Sequence, residues 1–213
     1  MPSKANPAAQ RSFLENTMMP LIDKAKSGLI ELFFVDASHF VMGGFPARVW
    51  SVVRKWVKTS CGRKRFNVLG ALNFVTKKVE TVVNATYITS TEVIELLEKL
   101  ARVYAGKTIK LVLDNARYQR CKIVIEAAER LGIELVFLPT YSPNLNLIER
   151  VWKLVKSKVL NGVYHKSFEV FCKSIGGLID SLHTELASEM NTLITQKFQV
   201  VNESDIVDWY DFQ

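Results

Sequence analysis

The chain has 213 residues, 48% of them apolar and 23% charged, which suits one folded domain with a sizeable core and excludes a disordered segment. No apolar run approaches the ~20 residues that span a bilayer. The opening Met-Pro-Ser-Lys-Ala-Asn-Pro lacks the apolar stretch of a signal peptide, so the expected location is the cytoplasm. Net charge is +7 but unevenly spread: residues 1–168 hold 26 Lys and Arg against 13 Asp and Glu, whereas residues 169–213 hold 2 against 8. A basic body suits a polyanion such as nucleic acid, since neutralising phosphates releases counterions, although a merely solvated basic surface has the same composition. Cys61, Cys121 and Cys172, odd in number and without a Cys-x-x-Cys pair, read as packing residues in a reducing compartment.

In chain order, residues 7–27 read as a helix stopped near Ser27-Gly28. A strand follows from Leu29 or Ile30 to Asp36. The stretch from His39 to Arg65 holds Arg48, Arg54, Lys55, Lys58, Arg63, Lys64 and Arg65, together with Trp50 and Trp56, and no acidic residue. Phe66–Phe74 and Val79–Ile88 are β-rich runs separated by Val75-Thr76-Lys77-Lys78, the pattern of a hairpin-like pair. Thr89, Ser90 or Thr91 caps an amphipathic helix that runs to about Tyr104 and stops at Gly106. Then come a short strand, Thr108–Leu113, a helix, Tyr118–Leu131, closed by Gly132, and a strand, Ile133–Leu138. Past the turn residues 139–144, a helix spans about Leu145–Leu160; residues 167–195 again look helical, and Asp205–Gln213 reads as a loose acidic-aromatic tail. Strands that come first and then alternate with helices predict an α/β fold with a mixed five-stranded sheet flanked by helices. The expected divisions are a helical lead-in over 1–28, a core over 29–165 and a helical segment with acidic tail over 166–213.

Three acids stand where such a fold could gather them. Asp36 and Asp114 each end an apolar, strand-like run, and Glu149 opens a helix, so all three can meet at one edge of the sheet, where α/β folds bind ligands. Oxygen donors of this kind suit Mg²⁺, and two such ions stabilise both the attacking and the leaving oxygen of an in-line displacement at phosphorus. Singly, each acid has an ordinary explanation: Asp114-Asn115 can form a turn and Glu149 can complement a helix dipole. His39, His165 and His183 form no His-x-x-x-His pair, so zinc is not expected. His39, three residues past Asp36, could line the site, and Asn115 could orient a water or cap the turn. Gly43-Gly44 is not followed by Gly-Lys-Ser/Thr, so ATP use is not indicated.

The order of elements and acids resembles the RNase H-like fold of transposases and retroviral integrases. Leu-Val-Leu-Asp-Asn-Ala-Arg (111–117) and Leu-Pro-Thr-Tyr-Ser-Pro-Asn-Leu-Asn-Leu-Ile-Glu-Arg-Val-Trp (138–152) are similar to mariner-superfamily transposases, in particular their bacterial insertion-sequence branch, which shares the spacing of 34 residues between Asp114 and Glu149. The similarity extends from about residue 12 to about residue 200. Many relatives have an acid in place of Asn144 and a proline in place of Leu147. The resemblance implies an Asp36, Asp114, Glu149 triad that is catalytic and binds two Mg²⁺ ions, with Mn²⁺ as substitute, Asp36 bridging both. It also implies double-stranded DNA as partner, in the form of transposon ends and target, a homodimer, a nucleoid-associated life in a bacterium and a short target such as TA. Relatives carry helix-turn-helix modules ahead of the core, so the chain resembles a downstream reading frame or an isolated catalytic portion, with an upstream helix-turn-helix protein as a further expected partner.

For DNA contact, the basic residues Arg48, Arg54, Lys55, Lys58, Arg63, Lys64 and Arg65 are candidates for phosphates. Trp50 and Trp56 could stack on unpaired bases but fit packing better. On the late helix, Ile148, Val151, Trp152, Val155 and Val159 share one face, and Glu149, Lys153 and Lys156 share an adjacent arc, which could set two cations beside the scissile phosphate or equally be a solvated helix face. The functional expectation is metal-dependent DNA cleavage and strand transfer. A plain nuclease of the same fold and a catalytically silent DNA-binding remnant remain alternatives.

Overall fold

A computed structural model of the chain describes residues 6–43, 52–53, 56, 58 and 62–200. Five strands form one mixed sheet in the order β3-β2-β1-β4-β5: β1 is Glu31–Val41, β2 Arg65–Asn73, β3 Val79–Asn84, β4 Ile109–Leu113 and β5 Ile133–Phe137. The β1–β2 and β2–β3 ladders are antiparallel, and the β1–β4 and β4–β5 ladders are parallel. This is the mixed sheet expected from three consecutive strands followed by strand–helix alternation.

Strand periodicity divides the core into two layers. Phe33 and Val35 of β1, with Leu69 and Ala71 of β2 and Leu111 and Leu113 of β4, pack under two helices, α3 (Ser90–Val103) and α4 (Lys122–Arg130). Leu32, Phe34 and Phe40, with Val68, Leu72 and Val112, face the other way, against α2 (Met19–Lys26), α5 (Ile148–Leu160) and α6 (Phe168–Ser181). The five apolar positions read from the sequence as one face of α5 are all buried. A last helix, α7 (Ala187–Leu193), contributes Met190 to the same layer.

Local chemistry accounts for the boundaries. Thr89 caps α3 in a reciprocal capping box with Glu92, and Gly106, with φ +77°, turns the chain out toward β4. The N-terminal helix is continuous but not uniform: α1 (Pro7–Phe13) leads through a π-helical turn, Leu14–Met18, into α2. Pro20 supplies the reason, since it has no N–H to donate and its ring crowds the carbonyl one turn back. Among the described residues no helix is long and apolar enough to cross a membrane.

Several expected boundaries need correction. β1 does not stop at Asp36 but continues to Val41, because its ladder with β2 runs on from Asp36↔Gly70 to Val41↔Arg65. β3 stops at Asn84, short of Ile88, because the Asn84 side chain donates to Tyr87 O and Glu92 Oε1, which turns the chain toward α3. α4 starts at Lys122 instead of Tyr118, since the residues after Asp114 first form turns in which Gln119 N and Arg120 N both donate to Ala116 O. α5 starts at Ile148, with Pro143–Leu145 forming a separate 3-10 turn. Trp56, read as a packing residue, is 87% exposed. Arg48, Arg54, Lys55, Trp50, Cys61 and the tail Asp205–Gln213 lie outside the described residues.

Candidate active site

The parallel ladder sets the first two acids side by side. Its last pair is Val35↔Leu113, so Asp36 and Asp114 follow at one level, where β1 loses its β4 neighbour although its pairing with β2 continues. Both positions alternate with residues of the α3/α4 layer, which turns them toward the α5 layer. The sheet rim inferred for Asp36 is therefore present, on the β4 side of an unbroken strand.

Gly70 brings in the third. It pairs with Asp36 across the β1–β2 ladder, and a Cβ built there would stand 2.7 Å from Trp152 Cη2 and Cζ2 and 3.0 Å from Ile148 Cδ1. Only glycine lets α5 approach this closely. Ile148 and Trp152 flank Glu149 in the first turns of α5, so their contact with Gly70 delivers Glu149 to the level of Asp36. The loop before α5 is pinned too: Asn146, buried, donates through Nδ2 to Val35 O at 3.0 Å, and Asn115 Nδ2 donates to Leu138 O.

Electrostatics record the convergence. The Asp36 carboxyl is pushed up to about 7, by burial first, then by repulsion from Glu149 and Asp114; the Ala37 N–H and the Lys156 ammonium oppose the shift. Burial also raises Asp114, against the Ala116 N–H, which donates to Asp114 Oδ1 at 3.2 Å, and the neighbouring Gln119 amide. Gln119 is fully buried and its amide atoms have no hydrogen-bond partner in this conformation, yet it lies near enough to favour the Asp114 carboxylate. Tyr118 is raised by burial and by both aspartates.

The donor set is oxygen only, as a hard divalent cation prefers, and the mutual repulsion at Asp36 is what such a cation would relieve. Among the described residues, no three Asp, Glu, His or Cys side chains converge within ligating distance of one point in this conformation, so the carboxylates would have to draw in around an ion. The residues fit such a cation by the chemistry of their oxygen donors.

The other candidates divide. Lys156 lies over the Phe40 ring, 5.8 Å from its centroid, and is near enough to Asp36 to oppose its shift. Lys153 is exposed and lines a cavity of about 720 Å³ that also includes Glu149, Arg150 and Lys197. A second cavity, about 190 Å³, separates Asp114–Ala116 from the 138–143 loop. Lys58, Arg63, Lys64 and Arg65 are exposed, and Lys64 lies 5.6 Å from the centroid of the Phe168 ring. His39 is three residues from Asp36 on a strand, hence on the opposite face, where Nδ1 meets Asn67 Oδ1 at 2.7 Å; it does not line the site. Sequence reasoning missed Gly70, Asn146 and Gln119. A lone glycine inside an apolar strand was a usable signal for close approach; a buried asparagine or glutamine in a turn leaves none.

The family described as DDE superfamily endonuclease matches residues 31–172. No curated protein matches the chain. Among solved structures, the Mos1 strand transfer complex aligns with a TM-score of 0.64 at 16% identity, over 95% of this chain and 65% of that one. The mariner Mos1 paired end complex with Mg aligns at 0.63 and 15% identity, over 95% and 66%. The catalytic domain of Mos1 mariner transposase aligns at 0.54 and 15% identity, over 89% and 98%. The chain thus spans just under two thirds of the first two and nearly all of the third. At these identities the likeness establishes an RNase H-like fold, while the matched stretch, which runs from β1 into α6 and takes in Asp36, Asp114 and Glu149, establishes more: the chain belongs to the DDE superfamily endonuclease family.

Proposed function

We propose that the chain is the catalytic portion of a DNA transposase, performing divalent-metal-dependent strand cleavage and strand transfer. The observation that supports this reading is that Asp36, level with Asp114 where β1 parts from β4, is repelled by both Asp114 and Glu149. Neighbours whose names include a strand transfer complex and a paired end complex with Mg support it.

Asp36, Asp114 and Glu149 would hold two Mg²⁺ or Mn²⁺ ions. When bound, the ions supply Lewis-acid stabilisation to the entering and leaving oxygens of an in-line displacement at phosphorus. The protein's part is placement. Gly70 and Trp152 fix the depth of Glu149, Asn146 ties its loop to β1, and Lys153 and Lys156 bring positive charge to the side of the cleft where a DNA phosphate would lie. Cleavage is attack of water on a phosphodiester, forming a new P–O bond as the 3′-oxygen departs and is protonated. Joining is attack of that 3′-hydroxyl on a target phosphodiester, with a target 3′-oxygen leaving. Both displace one oxygen by another at phosphorus, so one site serves both. Arg48, Arg54, Lys55, Lys58, Arg63, Lys64 and Arg65 are proposed as contacts to the DNA backbone. A homodimer holding two transposon ends, an upstream helix-turn-helix partner and a nucleoid-associated bacterial setting complete the proposal.

The test is strand transfer of pre-cut labelled DNA ends into a supercoiled plasmid with Mg²⁺ or Mn²⁺, with Asp114→Ala as control. Joined product in the wild type, lost to background in a variant that retains its circular dichroism spectrum, is the expected result. Nicking without joining identifies a nuclease instead; an active Asp114→Ala variant removes Asp114 from the site.

A further inference from the structure

The cavity beside Glu149 has a wall that lies outside the family match. Residues 193–199 start at the last residue of α7, beyond the matched 31–172, and run across the N-terminal end of α5. Hydrogen bonds hold them there. Arg150 donates through Nη1 to Leu193 O at 3.1 Å and Thr195 O at 3.5 Å, and through Nη2 to Lys197 O at 2.6 Å. Asn144 Nδ2 donates to Gln199 O at 2.7 Å and to Gln10 Oε1 at 3.0 Å. Lys158 adds an ion pair to Glu189 of α7, 3.0 Å long. The strap is thus part of the built structure around the site.

Arg150 spends its guanidinium on backbone carbonyls and serves as a strut. The cations left facing the cavity are Lys153 on α5 and Lys197 on the strap; both are exposed, and neither ammonium has an ion-pair partner among the described residues. Between them the cavity measures about 720 Å³ and is further lined by Phe198, Gln199 and Asn144. That volume falls within the ~300–1,000 Å³ of sites that take a small ligand, room for a short piece of one strand. Two ammonium groups, amides and one aromatic ring match a phosphodiester with its attached sugar and base.

We infer that the strap of residues 193–199 forms a second wall of the active site, in which Lys197, opposite Lys153, holds a phosphate of the DNA strand lying against Glu149 while Phe198 contacts the adjoining sugar or base. The inference rests on the DNA-strand chemistry proposed above and adds a subsite to it. Arg150 grips the Lys197 carbonyl and not its side chain, so replacing the side chain leaves the strut in place.

The experiment measures affinity of the full chain for a fluorescent DNA end between about 50 and 200 mM salt, where phosphate contacts dominate the slope, for wild type, Lys197→Glu, Lys197→Gln and Lys197→Arg. It adds photo-crosslinking to DNA from a benzoylphenylalanine placed at position 198. Loss of one phosphate contact lowers the magnitude of the salt slope by about 0.9 in the Gln variant, with a larger loss of affinity in the Glu variant. Lys197→Arg restores both, and the crosslink falls on the strand carrying the reacting phosphate. Wild-type slopes in the Gln and Glu variants, from a chain that still binds and joins DNA, overturn the subsite and leave the transposase reading standing. A wild-type chain that neither binds DNA ends nor cleaves them with metal overturns both.

Discussion

Gly70 is a glycine because α5 occupies the space a methyl group would need. The Cβ of an alanine would meet Trp152, whose indole is 2% exposed and packs edge-on against Phe40 at a ring separation of 6.3 Å, so it has little room to swing away. Overpacking of this kind costs about 1–3 kcal/mol, and each kcal/mol lowers Tm by about 2–4 °C in a chain of this size. Gly70→Ala should therefore melt earlier and lose metal-dependent activity more than stability, because α5 moves outward and takes Glu149 with it. Adding Trp152→Phe should recover part of the activity by reopening the space. Wild-type melting and turnover in Gly70→Ala would refute the close-approach role.

Asp36 makes a second residue-scale prediction, about pH. Its folded carboxyl, pushed up to about 7, binds a proton more tightly than the unfolded chain does near 3.8. Between those values the unfolded state holds fewer protons, so metal-free stability falls as pH rises through that window and the full penalty is present above about 7. Asp36→Asn should accordingly raise the Tm of chelator-treated protein at pH 8 and have little effect at pH 4. Thermal melts at the two pH values check the sign; equal shifts at both would mean that no buried charge is being relieved.

At the scale of elements, α5 does most to build the site, and its sequence pattern was legible. Its apolar positions recur at helical spacing, leaving Glu149, Lys153 and Lys156 on the adjacent arc. The five strands and their mixed order were equally legible, since β-rich runs bounded by turn residues leave few arrangements. Strand and helix limits were less so. The end of β1 depends on how far β2 pairs with it, and no residue near Asp36 carries that information. His39 shows the same limit, because proximity in sequence said nothing about the face on which an uninterrupted strand would set it. The strap along residues 193–199 could not be foreseen either, since Arg150 binds it through carbonyls that every residue possesses. For α5 itself, converting Lys153 and Lys156 to Gln together should weaken DNA binding and reduce the magnitude of the salt slope by about 1.8, the value for two phosphate contacts. Titrations across salt concentration measure it, and an unchanged slope would show that this arc faces solvent in the complex.

For the whole molecule, the site is a local source of instability that a cation should convert into stability. The sheet register, Gly70 and Asn146 set the backbone around Asp36, Asp114 and Glu149, and burial and repulsion push the Asp36 carboxyl up to about 7. A divalent ion that binds only the folded chain adds about 2.7 kcal/mol at a hundredfold excess over Kd. At about 2–4 °C per kcal/mol this is a rise in Tm of about 5–11 °C. Binding needs the ionised carboxylates, so the rise should be larger at pH 8 than at pH 5.5, opposite in direction to the pH dependence of the metal-free protein. It should also disappear in Asp36→Asn, Asp114→Asn, which removes the repulsion and the ligands together. Melts with Mg²⁺, Mn²⁺ and chelator at both pH values provide the measurement. A Tm indifferent to both ions at pH 8, or an equal rise in the double variant, would place any metal that this chain binds somewhere other than the rim where β1 parts from β4.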